Sequence, residues 1–327
     1  MLKFIFRFFI ALFLLAGVAE IVLRVKYGFC TAPLYIADPA FEYIYAPNQE
    51  LSRFGNIIRT NNLSMRSDPV TETDTLVVLL IGDSVINGGS LTDQDSLAST
   101  KLEKKLSITL KKKVRVLNIA AGSWGPDNIA GYLKKYGLFS ADLICLVTSS
   151  HDSHDNMSGA ERLVGVNPNF PTKQYPLALI ELWDRYRDLV VFKTNDLIFP
   201  TPKPEPHAPL DSTERSKLRS SGIRKPGEGF NSGYEELLTM AKKDSIPFFI
   251  YLHPEISEVQ LGAFNDQGEE IMGFAREHNV RLINEFDLGI SLDYFRETDT
   301  IHYNDKGQAF LAQNLYPIFL EYLNKKN

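Results

Sequence analysis

Two places in this chain, far apart in sequence, carry residue types from which a nucleophilic relay can be built. The aliphatic run Leu76-Val77-Val78-Leu79-Leu80-Ile81 stops at Gly82-Asp83-Ser84, and much later the chain reads Asp299-Thr300-Ile301-His302. A serine at the end of a buried strand, on a tight turn into a helix, has its hydroxyl exposed and its backbone N–H aimed at whatever that hydroxyl attacks. Asp and His three residues apart can share one turn. The Asp299 carboxylate then holds the His302 ring with Nδ1 protonated and leaves Nε2 as the base. Ser84 as nucleophile, His302 as base and Asp299 as its orienting partner amount to acyl transfer through a serine ester.

From residue 75 the hydrophobic pattern alternates between short aliphatic runs and helical periodicity. It predicts strands at 75–82, 113–120, 142–149, 246–252 and 279–285, with helices at 92–109, 126–137, 231–243, 260–278 and 305–324. Such alternation implies a mostly parallel sheet covered on both faces, a flavodoxin-like three-layer α/β/α sandwich. Active-site residues in these sheets gather beyond the carboxyl ends of the strands, where Ser84, Gly122 and His151 all fall. Residues 27–74 read as an extended lead-in arm with short β-prone pieces, ahead of a domain at 75–327. Within that domain, 156–230 is an irregular insertion that includes a helix over Tyr175 to Leu189 and the proline-rich run Phe199 to Pro209. A stretch of that length is expected to serve as a lid or substrate-binding element.

With 327 residues, 44% hydrophobic and 23% charged, the chain can bury a large core. A net charge of −5 and the absence of any long basic run give no field for nucleic acid. Cys30 and Cys145 are too few for a thiolate metal site, and a disulfide framework is not expected. Residues 1–26 are a signal anchor or a signal peptide. Phe8–Ala19 is uninterruptedly apolar but short for a bilayer, and a Glu20–Arg24 pair one turn apart would extend the helix. A retained anchor is favoured, because the sequence before Glu20 is not a clean Ala-x-Ala site; cleavage after Ala19 would give a secreted protein. Lys3 and Arg7 on one side and Arg24 and Lys26 on the other leave the orientation unset.

Gly82-Asp83-Ser84-Val85-Ile86-Asn87-Gly88 and Asp299-x-x-His302, followed by Tyr303-Asn304-Asp305-Lys306-Gly307 and a closing helix, resemble the first and last sequence blocks of the SGNH (GDSL) hydrolases. The resemblance covers roughly residues 75 to 325. Pro47-Asn48, Arg53-Phe54-Gly55-Asn56 and Asn61 to Ser67 are also similar to the stretch that precedes the Gly-Asp-Ser block in exported, membrane-anchored members. The resemblance implies a serine esterase without cofactor or metal, anchored by its N-terminal helix with the catalytic domain outside the cytoplasm. Its expected action is removal of an acyl group, acetyl for choice, from a cell-envelope or exported carbohydrate. The same acyl-enzyme would serve a polysaccharide O-acetyltransferase. A non-catalytic carbohydrate-binding or assembly protein on this fold is a further alternative, against which the retention of Ser84, Asp299 and His302 argues.

The family's oxyanion hole is matched less well. It draws on the nucleophile's own amide, here Ser84, a glycine amide and an asparagine. In Asn118-Ile119-Ala120-Ala121-Gly122-Ser123 the family glycine register falls on Ser123, with Gly122 one residue early, so either amide is a candidate. His151-Asp152-Ser153-His154-Asp155-Asn156 places His151 where asparagine is expected, and an imidazole N–H can donate as an amide does. Asp152, Asn156 and His253 are candidate pocket-lining residues, with a hydrogen-bonded structural role equally expected for His253. The His and Asp cluster fits no zinc spacing, so no metal is expected. Trp124 and Trp183 are expected to pack rather than to stack on a sugar.

Overall fold

The computed structural model describes residues 1–71, 76–198, 223, 229–297 and 299–324. Helix α1 (Leu2–Tyr27) leads into two hairpins, β1 (Tyr35–Asp38) with β2 (Glu42–Tyr45) and β3 (Glu50–Arg53) with β4 (Asn56–Arg59). There follow β5 (Leu76–Gly82), α2 (Ser84–Asn87), α3 (Ala98–Leu110), β6 (Val114–Ala120), α4 (Pro126–Tyr136), β7 (Leu143–Ser149) and α5 (Ala178–Ile198). The chain ends with α6 (Gly233–Lys243), β8 (Phe248–His253), α7 (Ile256–Leu261), α8 (Asp266–Glu277), β9 (Arg281–Asn284) and α9 (Asp305–Asn324).

The five aliphatic runs pair in parallel in the order β6-β5-β7-β8-β9. Strand period sends alternate side chains to opposite faces. On β5, Val77, Leu79 and Ile81 join a core with Ile129, Leu133, Leu237 and Ile271 of α4, α6 and α8. Leu76, Val78 and Leu80 join a second core with Leu102, Leu106, Leu311 and Leu315 of α3 and α9. This is the expected three-layer sandwich with the flavodoxin strand order. After β6 the chain crosses back over β5 to build β7, and in such sheets the reversal opens a crevice at the carboxyl ends of the two diverging strands, here β5 and β7.

Several element boundaries differ from expectation. The helix foreseen at 260–278 is two helices, because Gly262 takes a left-handed turn after α7 and the Asn265 side chain caps α8 through the amides of Gln267 and Gly268. α3 starts only at Ala98, after a 3-10 turn over Gln94–Ser96. α5 starts at Ala178 and runs on to Ile198, and most of the rest of the insertion, including Phe199–Pro209, lies outside the described residues.

The arm is not a separate layer. Phe41, Tyr43, Ile44 and Met65 belong to the same core as Val77 and Leu79, and the buried Trp124 donates its indole N–H to Tyr43 O at 2.8 Å. Arg66, 1% exposed, passes beneath the turn that follows Ser84 and donates to the carbonyls of Asn87 (2.7 Å), Gly89 (2.7 Å) and Thr92 (3.1 Å). Its ring of acceptors is neutral, and burial lowers the guanidinium pKa to about 10. Arg66→Met removes every donor to three largely buried carbonyls, so unfolding in urea is expected to show a loss on the order of 3 kcal/mol or more. An unchanged midpoint would mean that the arm merely rests on the domain.

No residue of α1 is buried, although Ala16, Ala19, Glu20 and Leu23 are partly covered, and the helix reaches a mean hydropathy of 2.3 over an 18-residue window. At 26 residues it is about 39 Å long, enough for a hydrocarbon layer of about 30 Å. Glu20 and Arg24 pair at 2.6 Å, as the spacing predicts.

Candidate active site

Ser84 is the first residue of α2, directly beyond the carboxyl end of β5. Gly82 permits the approach, since a Cβ there would stand 2.5 Å from Val147 O on β7. The buried Asp83 caps α2 by accepting from Val85 N at 2.8 Å, and Gly88 closes it in the left-handed region at φ +73°. Asn87 Nδ2 donates to Ala120 O and Asn118 Nδ2 to Ile86 O, each at 2.8 Å, which fixes the turn to the end of β6.

His302 Nδ1 lies 2.8 Å from both carboxylate oxygens of Asp299, the arrangement read from their spacing. Half-burial works to raise the Asp299 carboxyl, but the His302 ring and the amides of Ile301 and His302 outweigh it and hold the group well below the usual carboxylate range. This loop is fastened to the serine turn from two sides. Arg296 Nη2 donates to Gly88 O and Thr92 Oγ1, each at 2.9 Å, and Gln308 on α9 donates to Val85 O at 2.8 Å. Ser84 stays partly exposed, and no hydrogen bond joins its hydroxyl to His302.

Of the two roles expected for His253, the structure gives the hydrogen-bonded one and not pocket lining: it is fully buried behind the loop, where Nε2 donates to Ile301 O at 2.8 Å and Nδ1 faces Glu285 at 2.5 Å. Burial opposes charge on this ring, but Glu285 outweighs it and raises the pKa. Tyr251 and Tyr303 donate to the same carboxylate. His253 therefore supports the backbone next to His302 from below, away from the crevice.

His151 stands on a 3-10 turn (Ser150–Ser153) beyond β7, across the crevice from Ser84. Donor atoms of Asp83, His151 and Asp152 lie within 4.8 Å of one another, and all three residues are buried. The ring nitrogens face Asp152 Oδ1 and Glu255 Oε1, each at 3.4 Å. Burial alone would favour the neutral ring, but Asp152, Glu255 and Asp83 together raise its pKa to about 9. Asp152 Oδ2 accepts from Ser149 N at 2.7 Å and Thr148 Oγ1 at 2.9 Å. Asp152 is thus a buried capping residue and not an open pocket wall. Asn156 donates to Gly229 O at 3.2 Å.

The Gly122–Ser123 turn begins one residue past β6. Gly122 O accepts from Tyr43 Oη at 2.8 Å, and Ser123 takes φ +53° and is exposed. The amides of Ser84, Gly122 and Ser123 donate to no acceptor among the described residues. Of the other histidines, His154 pairs with Glu270 at 2.6 Å on the surface, His278 packs on Phe274, and His207 lies outside the described residues. Trp124 packs in the core as expected; Trp183 is 68% exposed and does not. Glu255, Arg66, Arg296 and Gln308 were not legible in the sequence: Glu255 and Arg66 come from other segments, and Arg296 and Gln308, though close to Asp299 and His302 in sequence, act by reaching the serine turn 208 and 223 residues earlier.

No family model and no curated protein matches the chain. Among solved structures it is similar to a member of the lipolytic G-D-S-L family from Veillonella parvula, at 12% identity and a TM-score of 0.39 over 75% of this chain and 98% of that one. A lipase/acylhydrolase from Enterococcus faecalis gives 12% and 0.39, over 74% of this chain and 96% of that one. A two-domain esterase active on acetylated mannans gives 11% and 0.40, over 77% of this chain and 50% of that one.

Proposed function

We propose that the protein is a serine ester hydrolase of the SGNH type, held at the membrane by α1 with its catalytic domain outside the cytoplasm. The observation that carries this reading is the Asp299–His302 pair at 2.8 Å, on a loop fastened by Arg296 and Gln308 to the turn that presents Ser84. In this reading His302 Nε2 takes the Ser84 hydroxyl proton as Oγ bonds to the ester carbonyl carbon. The proton then goes to the leaving alkoxide, and a water, deprotonated by the same nitrogen, releases the acid and restores Ser84. The Ser84–His302 hydrogen bond is the open link in this structure, and such bonds tighten when substrate is seated.

The free amides of Ser84 and of Gly122 or Ser123, with His151, are the donors proposed for the oxyanion. Removing one such donor commonly costs a hundred- to a thousand-fold in rate. The substrate is taken to be an acylated, chiefly acetylated, carbohydrate of the cell envelope. The placement outside the cytoplasm rests on the likeness of residues 47–67 to exported members of the family. A fluorophosphonate probe is expected to label the wild-type chain and to leave Ser84→Ala unlabelled. Equal labelling of the two would exclude Ser84 as the nucleophile.

A further inference from the structure

Helix α5 is joined to α1 in a specific way. The two carboxylate oxygens of Glu20 accept from the first amides of α5, Ala178 N at 2.8 Å and Leu179 N at 3.0 Å, while Arg24 Nη2 donates to Pro176 O at 2.6 Å. The glutamate that interrupts the apolar run of α1 is therefore the cap of another helix. This sets the start of α5 level with residues 20–24 of α1. Counting from Leu2 at 1.5 Å per residue, that level is about 27 to 33 Å along the helix, where a bilayer's hydrocarbon gives way to headgroups.

The inner face of α5 is built for the domain: Glu181 is fully buried, bound to Arg53 at 2.6 Å and to Cys30 N at 2.6 Å. The opposite face of its first turns is uncovered and carries large apolar side chains bordered by the exposed Asp184 and Arg187. Leu179, Ile180 and Trp183 are exposed there, Leu177 just before them, and Val166 shares a surface groove with Ile180. An indole with one apolar and one polar edge is the side chain that membrane interfaces favour.

We infer that this face of α5, with Trp183 as its anchor, lies in the lipid headgroup region beside α1 as a second membrane contact that fixes the tilt of the catalytic domain. The occupant is the bilayer itself, because the face begins where a membrane-length helix leaves the domain. The inference rests on the reading of α1 as a retained anchor.

The two tryptophans allow a direct test, since Trp124 is fully buried and Trp183 is exposed. Full-length protein is placed in phosphatidylcholine vesicles with or without lipid brominated near the top of its acyl chains, and the Trp183 signal is taken as wild type minus Trp183→Phe. The brominated lipid is expected to quench most of that difference, while aqueous iodide leaves it nearly unchanged. Quenching by iodide and not by lipid would overturn the inference, and so would protection from both, which would place a protein partner on the face. Flotation of the same vesicles separates the two failures: protein that floats with an unquenched Trp183 keeps its anchor and loses the second contact, whereas protein that does not float loses both.

Discussion

Ser84→Ala and His302→Ala are each expected to lower hydrolysis of a short aryl acetate by on the order of ten-thousand-fold, with the double variant little worse than either single one. Residues that act as one relay are not additive, because removing the base leaves the hydroxyl nearly inert and removing the hydroxyl leaves the base without a task. Neither change should cost the fold much. Ser84 and His302 are both partly exposed, and no hydrogen bond ties them together. The measurement is kcat/KM for the three variants beside their thermal midpoints. Wild-type turnover in Ser84→Ala would remove the serine mechanism, and additive losses would mean that Ser84 and His302 serve separate steps.

His151 carries the second large effect. If its ring donates to the oxyanion, His151→Ala should lose about a hundred-fold or more in kcat, while His151→Asn, which restores an N–H, should keep much of the activity. The pH profile adds a sign. The His151 pKa is raised to about 9, so the charged ring is present through neutral pH and is lost as pH climbs through that value. Loss of the His151 proton gives the profile an alkaline limb. In His151→Asn the alkaline limb near 9 should disappear. Linkage has the same direction. A histidine whose folded pKa is raised stabilises fully below its unfolded pKa, and the contribution fades as pH rises through the folded one, so the assay belongs well below the unfolding temperature. An alanine variant as active as wild type would make His151 structural and leave the hole to the amides of Ser84, Gly122 and Ser123, with Asn156.

What the sequence revealed and what it hid divide along a physical line. The sheet was legible because β5 and β7 are short, nearly continuous aliphatic runs, and β6, β8 and β9 are short apolar pieces set between helical segments. Likewise, Asp299 and His302 were legible as a pair because three residues on one turn leave little choice of geometry. Ser84 followed from its place after such a run. The charged neighbours of His151 were hidden, since Glu255 arrives from the far end of β8, more than a hundred residues away. His253 looked like a pocket residue because it follows a strand. Only the fold reveals that the Asp299–His302 loop lies across it and that Glu285 waits on the next strand's end. Arg66 gave no local sign either: an arginine in a polar arm reads as solvated until the chain closes over it. The break at Gly262 was visible as a glycine, but helical periodicity on both sides masked it.

The Glu20 cap also carries a constraint of timing. Its acceptors' partners, Ala178 and Leu179, lie 158 and 159 residues downstream. At a synthesis rate of about 5–20 residues per second, Glu20 is made roughly 8 to 30 seconds before those amides exist. During that interval Arg24 is the only one of the described partners of Glu20 already synthesised, and the helix has no domain to set its depth. If α1 is retained at the membrane, its final placement is completed by the folding of the chain that follows it. Exchanging α1 for a generic apolar helix would leave the first amides of α5 without the Glu20 cap.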